Sequence, residues 1–160
     1  MRTSLVVLGL LALPARAQEP SAPGRFELFV APEVTLVGLS AGVRPELLVR
    51  LGGEGPHRLR LAPGLLLGPE FTYVPVALGY RASFRDGHVV RPLVGAGLEY
   101  QYRFVSDGEP ARQLAFYLEA GATFAVSSRL SVGLAGSADV TFRGGPGAGL
   151  GVRALVGWAL

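Results

Sequence analysis

The stretch Gln113–Ser128, QLAFYLEAGATFAVSS, decides the fold. Leu114, Phe116, Leu118, Ala120, Ala122, Phe124 and Val126 fall at every second position, whereas a helix would repeat its apolar residues every three or four. The other parity holds Gln113, Ala115, Tyr117, Glu119, Gly121, Thr123, Ala125 and Ser127. One face of this strand is therefore continuously apolar and the other small or polar. Glu119, in the middle of the run, must point from the polar face.

The same period extends outward in both directions. Eight segments follow it, over residues 25–37, 42–51, 57–67, 71–85, 89–105, 113–126, 130–143 and 148–160. Each is about the length of a tilted membrane strand, ~9 to 11 residues or more. Between them lie turn residues: Gly38–Gly42, Gly52–Pro56, Gly68–Pro69, Arg85–His88, Ser106–Pro110, Ser127–Arg129 and Gly144–Gly147. No credible helix follows residue 17. The repeated hairpin spacing predicts an up-and-down antiparallel barrel or a sandwich and argues against a βαβ fold.

Which face points inward separates a soluble barrel from a membrane barrel. In the fifth segment Val90, Val94, Ala96, Leu98, Tyr100, Tyr102 and Phe104 oppose Arg91, Gly95, Gly97, Glu99, Gln101 and Arg103. The seventh and eighth segments alternate in the same way, and the polar parity is mostly Gly, Ala and Ser with isolated charges. A soluble barrel covers its outside with long hydrated charges and does not line it with glycine. An eight-stranded barrel has room inside for side chains alone, so small residues punctuated by Arg and Glu suit an interior. The bulky apolar parity then faces lipid, and closure leaves no unpaired backbone edge in the bilayer. The expected fold is thus all-β: an eight-stranded antiparallel up-and-down transmembrane β-barrel with short turns on both sides.

The beginning of the chain agrees. MRTSLVVLGLLALPARAQEP carries Arg2, an apolar run from Leu5 to Leu13, and the small-residue site Ala15-Arg16-Ala17, the pattern of a secretory signal peptide cut before Gln18. The run is far short of the ~20 residues of a spanning helix. Residues 1–17 are expected to be the signal peptide and residues 18–160 one barrel domain. Removing Arg2 and Arg16 from 15 basic residues leaves 13 against 12 acidic ones, so the mature chain is nearly neutral and carries no nucleic-acid footprint. Every basic residue is Arg, and Lys, Asn and Ile are absent, which a GC-rich genome explains. Without cysteine there are no disulfides or thiolate metal sites, and burial in lipid would hold the domain instead.

These features resemble the small eight-stranded outer membrane barrels, the OmpX and OmpA membrane-domain type, over essentially the whole mature chain. The sharpest element is the terminal strand LGVRALVGWAL, which is similar to the C-terminal assembly strand of that family, with Val156, Trp158 and Leu160 alternating to the last residue. The family usually ends in Phe; this chain ends in Leu, with Trp158 as its aromatic. The resemblance implies an integral outer membrane location, with lipid and, during biogenesis, the barrel assembly machinery as partners. Even strand number places both termini on the periplasmic side. The connections near 52–56, 86–88 and 127–129 are then periplasmic, and the outer loops, 38–41, 68–70, 106–112 and 144–147, are all short.

Chemistry-bearing constellations are sparse. His57 and His88 are the only histidines, and both are expected in turns on the terminal side. Neither shares a face with a serine and a carboxylate, as a nucleophile and base require. Gly95-Ala-Gly97 and Gly145-Pro-Gly-Ala-Gly149 resemble phosphate loops, but neither precedes a helix. No cofactor or metal site and no specific ligand is expected. The reading is a structural outer membrane barrel with a filled polar lumen, neither a pore nor an enzyme. A lipid-modifying outer membrane enzyme and a soluble lipocalin-like binder of an apolar ligand are the alternatives. Phe71, Tyr73, Tyr80, Phe84, Tyr100, Tyr102, Phe104, Phe116, Phe142 and Trp158 are expected to form girdles at the two interfaces.

A carboxylate facing hydrocarbon costs about 2 to 3 kcal/mol even on mild scales, so Glu119 must face the lumen, where it needs a cation. An interior network is expected from Glu27, Glu33, Arg44, Glu46, Arg50, Arg58, Arg60, Arg81, Glu99, Arg103, Glu119, Asp139 and Arg153. If the preceding hairpin is centred near Ala111, Glu119 lies opposite Arg103, and a shorter register puts it opposite Glu99. Pro32 and Pro63 fall near mid-strand, where either bulges or different boundaries for the first and third segments are expected.

Overall fold

The computed structural model describes residues 25–36, 39–52, 55–84, 88–105, 108–143 and 147–160; the side chain of Arg143 is also outside the description. The signal segment and its cleavage site, Ala15, Ala17 and Gln18, lie outside the described residues. Nine strand segments form one sheet: β1 Phe26–Thr35, β2 Ser40–Arg50, β3 His57–Pro63, β4 Leu65–Leu67, β5 Phe71–Ser83, β6 Val90–Val105, β7 Ala111–Ala125, β8 Leu130–Arg143 and β9 Gly147–Ala159. Every pairing is antiparallel between neighbours, and β1 pairs with both β2 and β9, which closes the sheet. Segments β3 and β4 are two halves of one wall, so the barrel has eight staves.

The prolines break the ladder without shifting it. Pro63 ends β3, and β4 resumes after Gly64 in the same register against both β2 and β5. Midway through that gap Pro45 and Pro63 fall opposite each other, and neither has an N–H to donate. The Gly64 N–H still bonds the Pro75 carbonyl at 2.8 Å. Pro32 likewise leaves the β1–β9 ladder unpaired at Ala31 and Pro32, with the register unchanged on both sides. The expected bulges at Pro32 and Pro63 are therefore absent: a missing donor removes a bond without adding a residue. A register shift does occur between Leu114 and Ala115, against β8.

Two turns differ from their sequence reading. Strand β2 starts at Ser40, so Ala41 and Gly42 belong to the strand; Leu39 takes a positive φ of 41°, and the Ser40 N–H donates to Thr35 Oγ1 at 3.1 Å. Strand β7 starts at Ala111, two residues earlier than expected, which shifts its register against β6. Arg103 then pairs with Ala111, Glu99 with Ala115, and Glu119 with Gly95. Both expected partners of Glu119 are thus wrong as strand neighbours.

The barrel is inverted in polarity. Phe116 and Leu118 are 44% and 54% exposed, while Tyr117 between them is 3% exposed. Phe26, Leu78, Tyr80, Phe84, Leu98, Tyr100, Phe104, Leu134, Phe142, Val152 and Trp158 share the exposed outer face, while Arg58, Arg60, Arg81, Arg153 and Glu46 are among the most buried side chains. Among the described residues there is no helix, and none that is long and apolar enough to cross a membrane. Spin labels at positions 116 and 118 are expected to be accessible to a lipid-soluble relaxation agent and a label at 117 protected. Equal accessibility at the three would contradict the period-two wall.

Candidate functional site: the barrel lumen

The thirteen charged side chains read from the sequence as lumenal all point inward among the described residues, and the structure sorts them into layers rather than one network. Nearest the termini, Arg58 Nε donates to Glu27 Oε1 at 2.6 Å and Arg58 Nη1 to the Pro56 carbonyl at 2.7 Å, with buried Arg50 opposite Arg58 in the β2–β3 register. The next layer is apolar: Phe29, Ala31, Leu48, Leu93, Ala135 and Leu155 pack as one buried cluster. Phe29 lies over Gly157, where any Cβ would overlap its ring. This plug escaped the sequence reading, which weighed the charges and glycines of the inward parity. The signal was there, since Phe29 shares the parity of Glu27, Leu48 that of Glu46, Leu93 that of Arg91 and Leu155 that of Arg153.

The middle layer contains Glu119. Its Oε1 accepts from Arg81 Nε at 2.7 Å and its Oε2 from Arg153 Nη2 at 2.6 Å, with Arg60 Nε at 3.9 Å. Glu46 accepts from Arg60 Nη2 and Arg81 Nη2, both at 2.6 Å, and lies 3.3 Å from Arg153 Nη1. Two carboxylates thus hold three guanidiniums drawn from β3, β5 and β9. Arg60 and Glu46 sit on the paired strands β3 and β2, whereas the bonds of Arg81 and Arg153 to Glu46 and Glu119 join strands that are not neighbours and tie those staves together. Tyr117 lies beneath Arg60, whose guanidinium carbon is 5.2 Å from the ring centroid. Gly95, opposite Glu119, leaves the space its carboxylate occupies; a Cβ there would meet Glu119 Cγ at 2.8 Å.

The third layer faces the opposite end of the barrel. Arg44 Nε is 2.6 Å from Glu33 Oε2, Arg44 Nη1 donates to Glu99 Oε2, and Gln101 Nε2 donates to Glu99 Oε1 at 2.9 Å. This layer lines a cavity of about 340 Å³ that also reaches Tyr117 and Arg153 of the middle layer. Arg103 and Asp139 line this cavity and join no ion pair among the described residues. Phe71 and Tyr73 also line it, with the Arg103 guanidinium carbon 4.1 Å and 5.3 Å from their ring centroids. These two aromatics are therefore not girdle residues. Their strand parity aims them inward, at the mouth.

The histidines lie away from the lumen. His57, the first residue of β3, is exposed and its Nδ1 is hydrogen-bonded to the Tyr80 hydroxyl; His88 is exposed between β5 and β6. On β9, Val156 is half-buried and Trp158 and Leu160 are exposed, and the Leu160 N–H bonds the Phe26 carbonyl at 2.9 Å, across the barrel seam.

No protein-family model matches the chain, and no curated protein sequence matches it. Solved structures do. The N-terminal β-barrel domain of Pseudomonas aeruginosa OprF superposes with a TM-score of 0.72 at 15% identity, covering 86% of this chain and 99% of that one. Neisserial surface protein A gives 0.57 at 13% identity over 83% and 92%. The outer membrane enzyme PagL gives 0.50 at 15% identity over 84% and 99%. The similarity spans nearly the full length of each, and it is one of fold: the closed, eight-stranded antiparallel barrel of outer membrane proteins.

Proposed function

From the fold it shares with these barrels, we propose that the chain is an integral outer membrane protein, exported by cleavage after Ala17 and inserted with both termini in the periplasm. Its apolar exterior contacts lipid, and the barrel assembly machinery reads its terminal strand, Val156, Trp158 and Leu160, during insertion. A soluble lipocalin-like barrel would carry the opposite polarity. The role within the membrane is structural, and one observation carries that reading: the lumen is filled. The apolar plug of Phe29, Leu48, Leu93 and Leu155 and the ion-pair layer above it put buried side chains into an eight-stranded interior that is just wide enough for side chains.

Fold similarity to an enzyme does not transfer its chemistry. Supporting a non-catalytic reading, the two histidines lie outside the lumen, and the buried carboxylates are held by guanidiniums. In a planar bilayer the refolded protein is expected to produce no resolved conductance steps at physiological salt. Stable, reproducible steps that scale with protein added would overturn the closed-lumen reading.

A further inference from the structure

The lumen is not filled evenly along its length. The cavity at the third layer is bordered on β9 by Gly147, Ala148, Gly149, Gly151 and Arg153, while the facing wall presents Phe71, Tyr73 and Arg103. Two opposite charges line this space and neither is ion-paired among the described residues. Arg103 is held on its two aromatic rings, and its Nε–H is buried with no hydrogen-bond partner. Asp139 folds over Gly149, where a Cβ would meet its Cγ at 2.8 Å. The two hang from β6 and β8 at different heights: the registers set Asp139 level with Tyr117 and Gly97, six residues along β6 from Arg103.

The surroundings bias what each charge accepts. Arg44 is already committed to Glu33 and Glu99, and Arg153, which also lines the cavity, to Glu46 and Glu119, so among the described residues the charges left without an ion pair there are Asp139 and Arg103. Among the described residues no group of three His, Cys, Asp or Glu has metal-binding geometry, so the favoured cation is an organic ammonium. An anion finds the stacked Arg103, whose planar fork suits a carboxylate or phosphate oxygen pair. We infer that this vestibule binds a small zwitterion, with Arg103 taking the anionic group and Asp139 the ammonium. The inference does not depend on the closed-lumen reading, since the cavity lies wholly above the plug.

The full mature barrel, refolded in a non-ionic detergent so that no headgroup competes, is titrated by calorimetry with 4-aminobutanoate, 5-aminopentanoate and 6-aminohexanoate. Pentylamine and pentanoate are the one-charge controls, and glycerophosphoethanolamine represents a lipid headgroup. At least one zwitterion is expected to bind about tenfold tighter than either one-charge control, the scale of one further charge-assisted hydrogen bond. A preference for the amino acid or for the headgroup compound identifies the source of the ligand. Arg103→Met and Asp139→Asn, each checked first for folded, heat-modifiable migration, should each lower that affinity by about tenfold. Should a variant fail to fold, the ligand comparison on the parent protein still decides the matter. No binding by any zwitterion, or pentylamine binding as tightly as 5-aminopentanoate, would overturn the inference, as would unchanged affinity in both folded variants.

Discussion

Replacing Glu119 by Gln is expected to lower the unfolding free energy in lipid vesicles by roughly 3 to 5 kcal/mol, the cost of leaving a buried charge without its partner. Glu119 is 4% exposed and supplies one of two carboxylates to Arg60, Arg81 and Arg153. Glutamine keeps the volume but removes the charge and turns one oxygen into a donor aimed at guanidinium donors. Glu46 alone would then face three cations. The neighbouring change Leu118→Val, on the lipid face, should cost less than about 1.5 kcal/mol, because it removes one methylene where hydrocarbon can fill the gap. Because the penalty comes from an uncompensated cation and not from lost attraction alone, Arg153→Met in the Glu119→Gln background should recover part of it. The expected coupling is about 1 to 3 kcal/mol. Urea titration followed through Trp158 fluorescence measures these proteins together with the Arg153→Met single variant, which closes the cycle. A Gln variant as stable as the parent, or more so, would remove Glu119 from the set of interactions that hold the staves together.

Gly97→Val is expected to abolish folding of the barrel. Gly79, Gly97 and Tyr117 fall in register on β5, β6 and β7, and the tyrosine ring lies across the two glycines. A Cβ on Gly97 would meet Gly79 Cα at 2.5 Å and Tyr117 Cε1 at 2.9 Å, and would also overlap the Leu78 carbonyl. Ordinary overpacking costs about 1 to 3 kcal/mol when side chains can yield; here two of the three obstacles are backbone. Removing the ring with Tyr117→Ala should therefore not rescue Gly97→Val. Gly136 is the control: a Cβ there finds nothing closer than 3.9 Å, so Gly136→Ala should fold at parental yield. The yield of heat-modifiable, unboiled protein on a gel reports each outcome. Folding of Gly97→Val at parental yield would show that the β5–β6 approach is not as tight as described.

The sequence by itself determined which way each side chain points, because that depends only on strand parity, a local property of the extended backbone. From parity came the inverted polarity, and from polarity and turn spacing came the closed antiparallel barrel; Glu119, Arg60, Arg81 and Arg153 were readable as inward from the same rule. Only the tertiary structure decided which inward charges meet. Register depends on where each hairpin turns, and starting β7 at Ala111 was enough to place Glu119 opposite Gly95 in place of Arg103 or Glu99. The partners that hold Glu119 are not strand neighbours at all but arrive from β3, β5 and β9 across the lumen, a relation that exists only once the sheet closes. Closure also gathered Phe29, Leu48, Leu93 and Leu155 into one plug and left Arg103 and Asp139 apart at the mouth. Chain parity fixes a side chain's face, but its partners are set by curvature, tilt and the stagger of eight staves, which no single segment encodes.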